Sequence, residues 1–300
     1  MIDADRLVRE GERKLRAAGV DSPAHDAAVL LAHACGCRRA DIDRARLLGS
    51  GLDGVVAPHD ALRAYRSLID RRAAREPLQL IVGYARFRGL IVDVGPGVFI
   101  PRPETEMVVQ CGIDWLNDQP VEAPRVVDLC AGSGVIGLSV ASEVADAEVW
   151  AVEMSPDALV WTERNRRRIG SISPCLDDSY HLVSGDATSP GTLAYLDGTV
   201  DAVITNPPYV PDARVPDQPE VRDHDPRMAL YGGSDDGMAI PRLIIDRAHA
   251  LLRPGGLLVM EHDITQGGRL AAYARDRGFP ESRTVEDWTH RPRALMAVKG

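Results

Sequence analysis

From residue 125 onward, short apolar runs alternate with amphipathic stretches, and this alternation limits the possible folds more than any other feature. The runs are RVVDL, EVWAVE, YHLVSG, VDAVITN, GGLLVMEH and RALMAVK. Helical periodicity marks the stretches GVIGLSVASEV, SPDALVWTERNRRRIG, GMAIPRLIIDRAHALL and ITQGGRLAAYARDRG. Apolar strands joined by helices pack as a parallel sheet covered on both faces, and ligands bind at its carboxyl edge. The sequence therefore predicts an α/β fold with a binding site at that edge.

The first 104 residues follow other patterns. Apolar residues at helical spacing predict helices over residues 3–18, 23–36 and 58–76. The runs LQLIVGY and RGLIVDV predict a β-hairpin, and the Pro-rich stretch GPGVFIPRPETE leads into a helix beginning near Thr105. We therefore predict three parts: a helical domain over 1–76, a hairpin and linker over 77–104, and the α/β domain over 105–300.

Charge and aromatic content argue against a general nucleic-acid-binding protein. The net charge is −9, and residues 1–76 hold 14 Lys and Arg against 12 Asp and Glu, so the acidic charge lies in the remainder. An acidic surface repels phosphate backbones. Aromatic residues make up only 5% of the chain, which leaves few rings for stacking bases.

Metal binding and membrane insertion are not expected. The five cysteines, Cys35, Cys37, Cys111, Cys130 and Cys175, form no CxxC pair, and their odd number without framework spacing is typical of reduced thiols in a cytoplasm. The N-terminus is charged throughout, and no run approaches the ~20 apolar residues of a membrane span. We therefore expect a cytoplasmic protein without a metal ion.

Acidic residues follow three successive strands of the predicted sheet. Asp128 ends the first strand and precedes a glycine-rich turn, Glu153 ends the second, and Asp186 follows the third. Glycines in such a turn let the backbone approach a ligand, and an acid about 20 residues further on accepts hydrogen bonds from ribose hydroxyls. Acidic side chains suit a cationic nucleoside better than a pyrophosphate. The pattern predicts a pocket for S-adenosylmethionine rather than for NAD.

The stretch DAVITNPPYVPD begins as a buried strand and ends on Asn206, two prolines and Tyr209. At the carboxyl edge, the side-chain oxygen of Asn206 and the carbonyl of Pro207 can accept both N–H groups of a planar substrate amide. The two prolines fix φ and hold these acceptors rigid, and Tyr209 can stack on the amide. We predict N-methylation of an amino group here. The Pro- and Asp-rich insertion Val210–Asp235 that follows is a candidate lid or substrate loop.

Three motifs together resemble one family. They are Asn-Pro-Pro-Tyr at residues 206–209, GVFIPRPETE from Gly97 to Glu106, and EDW from Glu286 to Trp288. Over nearly the whole chain the sequence resembles the protein-(glutamine-N5) methyltransferases of the PrmC/HemK type. The resemblance implies a Rossmann-like class I S-adenosylmethionine-dependent methyltransferase domain with a small N-terminal helical domain and a β-hairpin linker.

The resemblance also implies a reaction and a partner. The family transfers a methyl group from S-adenosylmethionine, leaving S-adenosylhomocysteine, to the glutamine of the Gly-Gly-Gln motif in class I peptide chain release factors, which modulates translation termination. By the same resemblance, the helical domain and hairpin dock the release factor. We expect a monomer that has no nucleic-acid substrate and no contact with a membrane.

Carried over position by position, the resemblance assigns site residues. The implied cofactor contacts are Cys130, Ala131, Gly132, Ser133, Gly134, Glu153, Asp186, Ala187 and Asn206. The implied substrate clamp is Asn206, Pro207, Pro208 and Tyr209, with Asn206, Pro207 and Tyr209 in the catalytic role. The implied pocket wall is Phe99, Pro101, Arg102, Glu104 and Thr105, with Arg102 and Glu104 paired.

This sequence departs from the family pattern at two positions. Cys130 stands where the family often has glycine, so we expect the turn to avoid a positive φ there. Ala187 stands where some relatives carry an aromatic residue beside the adenine, which puts that stacking contact in doubt.

Three other functions are compatible with parts of the pattern. An adenine or cytosine N-methyltransferase acting on nucleic acid would use the same clamp, but it would need a basic groove and a target-recognition domain. A sister enzyme of the family methylates a glutamine of a ribosomal large-subunit protein. A non-catalytic nucleoside-binding adaptor would keep the pocket without the chemistry, and the intact clamp speaks against it.

Overall fold

The computed structural model describes residues 2–52, 57–171 and 176–300, so Cys175 lies outside the described residues. The elements before residue 84 are β1 (Ile2–Asp3), α1 (Ala4–Ala17), α2 (Pro23–Cys35), α3 (Arg39–Leu48), β2 (Gly51–Leu52), α4 (Pro58–Ala73) and α5 (Leu78–Val82). The three predicted helices are confirmed as α1, α2 and α4. Across the described ranges, none of the helices has the length and apolar character needed to cross a lipid bilayer.

The first strand of the predicted hairpin was placed wrongly. Residues Leu78–Val82 form the short helix α5, which Gly83 ends with a φ of +81°. A five-residue apolar run between a proline and a glycine fits a buried helical turn as well as a strand, and periodicity cannot separate the two. The hairpin itself lies immediately after this helix in the chain, where β3 (Tyr84–Phe87) pairs antiparallel with β4 (Leu90–Asp93).

The remaining elements form the α/β part, except for α10, which belongs to the helical unit. They are α6 (Pro103–Asn117), β5 (Arg125–Leu129), α7 (Val135–Glu143), β6 (Glu148–Glu153), α8 (Pro156–Gly170), α9 (Leu176–Ser179), β7 (Tyr180–Ser184), β8 (Val200–Thr205), α10 (Pro219–His224), α11 (Arg227–Leu230), α12 (Ala239–Leu251), β9 (Leu252–Glu261), α13 (Gly267–Asp276), β10 (Glu281–Glu286) and β11 (Pro292–Val298). A 3₁₀ turn at Ala194–Leu196 precedes β8.

Seven strands form one sheet in the order β10-β11-β9-β8-β5-β6-β7. Strands β7, β6, β5, β8 and β9 pair in parallel, as the alternation predicts. The prediction of a wholly parallel sheet is wrong at one strand, because β11 runs antiparallel to both of its neighbours. The glycine-rich turn follows β5, and the Asn-Pro-Pro-Tyr stretch follows the adjacent strand β8. The sheet therefore brings the two to one edge.

Both faces of this sheet are buried, which explains why its strands are apolar throughout rather than alternating. Ile204 belongs to the apolar cluster on one face and Val203 to the cluster on the other. Gly112 of α6 lies so close to the sheet that a Cβ there would meet Ile204 Cδ1 at 2.2 Å. The helix therefore packs on β8 with no room for a side chain, and this contact supports the strand that carries the clamp.

The chain divides into two compact units. Met1–Gly83 and Pro216–His224 form the first, and Tyr84–Val215 and Asp225–Gly300 form the second. Helix α10, within the predicted loop of residues 210–235, therefore belongs to the helical unit. The predicted boundaries at residues 76 and 104, and the docking role of the helical domain, stay predictions.

Within the first unit, one carboxylate holds α10. Glu220 Oε1 accepts hydrogen bonds from Arg72 Nη1 at 2.8 Å and Arg75 Nε at 2.7 Å, and its Oε2 accepts from Arg75 Nη2 at 2.7 Å. Arg72 is buried and also donates to Asp26 at 2.8 Å. Burial opposes the charge of Glu220, but the hydrogen bonds from Arg75 and Arg72 outweigh it and lower its pKa to about 2.

We expect Glu220→Gln to destabilise the helical unit. A carboxyl whose pKa is lowered on folding adds stability above its unfolded pKa and loses that contribution as pH falls through the folded value. At neutral pH the loss should be about 1–3 kcal/mol, and the difference from the wild type should shrink as pH falls from about 4.5 to 2. Denaturant unfolding at several pH values measures it. Asp223→Asn, in an exposed pair with Arg222, is the matched control and should change little. A constant difference at all pH values would contradict this.

Candidate active site

A cavity of about 300 Å³ opens at the carboxyl edge of β5, β6 and β8. Its wall consists of residues from the turns after these strands, from the segment before α6 and from residues near α11 and α12. Of the residues singled out in the sequence, it includes Phe99, Pro101, Thr105, Cys130, Ala131, Gly132, Ser133, Glu153, Asp186, Ala187, Asn206 and Pro208. Gly134, Arg102, Glu104, Pro207 and Tyr209 do not line it.

The carboxylate of Glu153 is fixed by the backbone around it. Its Oε2 accepts from the N–H of Gly132 at 2.8 Å, and its Oε1 accepts from the N–H of Ser155 at 2.7 Å. The residue is 8% exposed and lines the cavity. Because each carboxylate oxygen has a further acceptor site, both can still accept a hydrogen bond from a ligand hydroxyl. Glu153 is thus a preorganised acceptor for a vicinal diol such as a ribose.

The turn after β5 has a positive φ at Cys130, contrary to the sequence prediction. Cys130 has a φ of +66°, like Gly132 at +58° and Gly134 at +84°. The expectation that Cys130 avoids a positive φ is wrong, because the backbone is held from both sides: Ala131 donates its N–H to Val152 O at 2.9 Å and accepts from Gly134 at 2.8 Å. Burial, with the nearby charges of Glu153 and Asp128, raises the pKa of the Cys130 thiol well above its usual range. The thiol therefore stays protonated at neutral pH.

We expect Cys130→Gly to stabilise the protein. A non-glycine residue in the left-handed region costs about 1–2 kcal/mol, part of which glycine returns through its flexible unfolded state. A net gain of about 0.5–1 kcal/mol corresponds to a rise of about 1–4 °C in Tm. Cys130→Ala is the matched control, because it removes the thiol and keeps the strained backbone. Equal or greater stabilisation by alanine in a thermal melt would contradict the strain explanation.

Asp128 does not take part in the cavity, contrary to the sequence prediction. It is fully buried, and its Oδ2 accepts from the N–H of Gly137 at 2.9 Å, in the first turns of α7. Burial first, and then the charge of Glu153, raises the pKa of Asp128 to about 8. Asp128, near the end of β5, therefore ties the strand to the helix, and the cavity's acidic lining comes from Glu153 and Asp186.

Asp186 and Ala187 lie on the cavity wall after β7. Asp186 Oδ1 accepts from the N–H of Thr188 at 2.8 Å and from its hydroxyl at 2.7 Å, which fixes the carboxylate at the start of a tight turn. Ala187 is 5% exposed and adds only a methyl group. Residue 187 therefore brings no aromatic ring to the cavity wall.

The side chain of Asn206 enters the cavity wall, and its neighbours restrict its orientation. Asn206 Nδ2 donates to Thr105 Oγ1 at 3.2 Å, so its Oδ1 remains as the acceptor. Tyr209 turns its hydroxyl inward and donates to Glu261 Oε1 at 2.9 Å. Burial first, and then the charge of Glu261, raises the pKa of Tyr209 well above its usual value, so it stays a neutral donor. Its stacking on a substrate stays a prediction.

The backbone of the clamp is fixed from behind. Fully buried Gln266 donates its Nε2 to Tyr209 O at 2.8 Å and to Asp236 O at 2.9 Å. Gly237 has a φ of +68°, and a Cβ there would meet Tyr209 O at 2.2 Å. Only glycine fits this contact, so residues 236–237 brace the turn that the two prolines stiffen.

The predicted ion pair of Arg102 with Glu104 is wrong. Arg102 instead pairs with the carboxylate of buried Asp225, and its guanidinium lies 4.9 Å from the centroid of the Phe99 ring. Arg102 is the N-cap of α6 with extended backbone angles, whereas Glu104 lies in the first turn, where helix N-termini favour acids. The Arg102–Asp225 pair ties the Pro-rich segment to the loop that follows the clamp.

The insertion after the clamp is more ordered than its composition indicates. Val210 bridges Tyr231 in parallel, and the N–H of Gly232 donates to Val210 O at 2.9 Å. Pro226, Met228 and Ala229 line the cavity. This part of the insertion forms an apolar wall, and its role as a moving lid stays a prediction.

Sequence reasoning missed Glu261, Gln266 and Gly237. Glu261 ends β9 at the same sheet edge, so it carries the strand-end signal that identified Glu153. No local signal marks Gln266 or Gly237, because their role depends on contacts with Tyr209, 57 and 28 residues away in the chain.

The strand order of the sheet, the glycine-rich turn after β5 and the cavity at the carboxyl edge together define a Rossmann-like class I methyltransferase fold. A family model described as PrmC N-terminal domain matches residues 6–83, and one described as Conserved hypothetical protein 95 matches residues 78–221. The chain is 57% identical over 292 residues to the release factor glutamine methyltransferase of Bifidobacterium longum, covering 97% of this chain and 98% of that one. It is 42% identical to the enzyme of the same name from Streptomyces coelicolor, covering 97% and 96%. The chain belongs to the release factor glutamine methyltransferase family.

Proposed function

We propose that this protein methylates the side-chain amide nitrogen of the glutamine in the Gly-Gly-Gln motif of class I peptide chain release factors, with S-adenosylmethionine as the methyl donor. One observation carries the chemistry. The amide nitrogen of Asn206 is engaged by Thr105 at 3.2 Å, which leaves Oδ1 as an acceptor at the cavity. An acceptor at this place suits a substrate that brings N–H groups.

The residues of the cavity fit the methyl donor. Glu153 can accept from both ribose hydroxyls, Asp186 lies where an adenine amino group can donate, and the turn Cys130–Gly134 lets the chain run close to the ligand. A Cβ on Gly132 would meet no atom within 4 Å, so the space beside it is open. When bound, S-adenosylmethionine supplies an electrophilic methyl group on a sulfonium.

The clamp compensates for the poor nucleophilicity of an amide nitrogen. Its nitrogen lone pair is delocalised, as the rotation barrier of about 18–20 kcal/mol shows. Asn206 Oδ1 and Pro207 O accept the two N–H groups, hold the nitrogen in line and stabilise positive charge as it develops there. As the N–C bond forms, the bond from the methyl carbon to the sulfonium sulfur would break, and the two protons on the alkylated nitrogen would become acidic, so one leaves to water without a strong base. Tyr209 donates its hydroxyl to Glu261 at 2.9 Å, which holds the end of the clamp in place.

The alternatives receive less support. A nucleic-acid N-methyltransferase would need a basic surface, and the net charge of the chain is −9. Relatives over the full length carry the release factor name, which favours that substrate over a ribosomal protein. Action in the cytoplasm as a monomer is part of the proposal.

Mass spectrometry after incubation with isotopically labelled S-adenosylmethionine tests the substrate. The candidate substrates are a class I release factor, a matched release factor with Gly-Gly-Gln changed to Gly-Gly-Glu, a ribosomal large-subunit protein, and single-stranded and duplex DNA. We expect one methyl group on the Gly-Gly-Gln glutamine and none on the Glu variant. Label on a ribosomal glutamine or a base, with none on the release factor, would overturn the proposal.

A further inference from the structure

One buried carboxylate is linked to both ends of the Asn-Pro-Pro-Tyr clamp. Glu261 is 2% exposed at the end of β9. Its Oε2 accepts from the hydroxyl of Thr105 at 2.7 Å, and its Oε1 accepts from the hydroxyl of Tyr209 at 2.9 Å. Thr105 Oγ1 in turn accepts from Asn206 Nδ2 at 3.2 Å. Both clamp side chains therefore depend on the same acid.

The direction of these hydrogen bonds follows from the chemistry of the groups. An ionised carboxylate is an acceptor only, so the hydroxyl of Thr105 must point its single proton at Glu261. The lone pairs of Thr105 Oγ1 then face Asn206 and can only accept. Because the amide of Asn206 carries a donor on one side and an acceptor on the other, its nitrogen must face Thr105 and its oxygen must face away.

We propose that Glu261 is a positioning residue for methyl transfer, which acts through Thr105 to fix the amide orientation of Asn206 so that oxygen, not nitrogen, meets the substrate amide. This inference rests on the proposed function. The reversed orientation would present two N–H donors to a substrate that also offers N–H donors, and the clamp would lose one of its two acceptors.

The charges around Glu261 decide the pH range over which this holds. Burial raises its pKa, while the hydroxyls of Thr105 and Tyr209 and the charge of Arg293 on β11 oppose that shift, and Glu104 on α6 adds to it. Arg293 is itself held by Asp287 of the EDW motif, at 3.3 Å. Protonation would turn one oxygen of Glu261 into a donor and remove the constraint on Thr105. The kcat should therefore fall on the acid side as Glu261 gains a proton.

Thr105→Val tests the link, because valine keeps the shape and removes the hydroxyl. We expect kcat to fall by about 5- to 100-fold, as for a buried amide without its acceptor, while the Kd for S-adenosylmethionine stays within about 3-fold. Thr105→Ser should recover at least about a tenth of the lost activity. The matched control is Thr199→Val, whose hydroxyl donates to Leu196 O at 2.8 Å elsewhere in the same unit; its kcat should equal that of the wild type. In Glu261→Gln the acid limb of the kcat–pH profile should disappear.

A readout independent of the substrate keeps the inference testable if the proposed function fails. The side-chain amide signal of Asn206 in ¹⁵N-labelled protein, identified by its loss in Asn206→Ala, should show slow hydrogen exchange in the wild type and at least about 10-fold faster exchange in Thr105→Val. Equal exchange in the two proteins would overturn the inference, whatever the substrate. The inference would also be overturned if the kcat of Thr105→Ser were no higher than that of Thr105→Val. An acid limb that persists in the kcat–pH profile of Glu261→Gln would overturn it as well.

Discussion

Asn206→Ala should reduce kcat for glutamine methylation by at least about 100- to 1000-fold, the usual effect of removing one preorganised group from a transition-state clamp. The Kd for S-adenosylmethionine should change by no more than about 3-fold, because Glu153 and the turn after β5 remain intact. The expectation follows from the proposed mechanism, in which Asn206 holds the reacting nitrogen through Oδ1 while its own amide nitrogen is engaged by Thr105. Single-turnover kinetics and calorimetry measure the two quantities separately.

Two further variants locate the cause of that loss. Asn206→Asp keeps an oxygen toward the substrate but turns an acceptor toward Thr105, so its kcat should lie between those of the wild type and the alanine variant. Asn117→Ala, at the exposed end of α6, should have no effect. Parallel losses of cofactor binding and turnover in Asn206→Ala would mean that Asn206 supports the fold of the cavity instead.

Glu153→Ala should weaken S-adenosylmethionine binding by about 10- to 100-fold, because a hydrogen bond to a charged group is worth about 1.5–3 kcal/mol. The same carboxylate also holds the N–H groups of Gly132 and Ser155, so the turn should loosen with it. Isothermal titration calorimetry measures the Kd, and turnover at saturating cofactor should recover most of the wild-type rate.

Glu148→Ala is the matched control for this variant. Glu148 begins the same strand β6, at the opposite end from the cavity, and its carboxylate is 40% exposed. Its replacement should leave cofactor affinity unchanged. An unchanged Kd in Glu153→Ala would remove the ribose assignment and with it the best support for a nucleoside in this cavity.

Periodicity was sufficient to predict the central elements of the fold. The five parallel strands are apolar along their whole length and are separated by glycines, prolines and amphipathic helices, which leaves few alternatives. It failed where the signal is short or absent. The run Leu78–Val82 is too short to distinguish a helix from a strand, and β10, with the sequence ESRTVE, has no apolar pattern to mark it.

The site was predictable in proportion to how local its contacts are. The strand ends and the proline pair were enough to predict that Glu153 and Asn206 lie at one edge of the sheet, and the structure shows both on the cavity wall. Partners far apart in the chain were not predictable, such as Arg102 with Asp225, 123 residues away. Cys130 shows the remaining limit: two backbone hydrogen bonds of Ala131 fix its φ, and the identity of the side chain does not reveal them.

The most direct test is a crystal structure of the protein with S-adenosylhomocysteine and a peptide containing Gly-Gly-Gln. The peptide carboxamide nitrogen should lie about 3 Å from both Asn206 Oδ1 and Pro207 O, with its face toward the sulfur. A carboxamide bound elsewhere, or an Asn206 whose Nδ2 rather than Oδ1 points at it, would contradict the account.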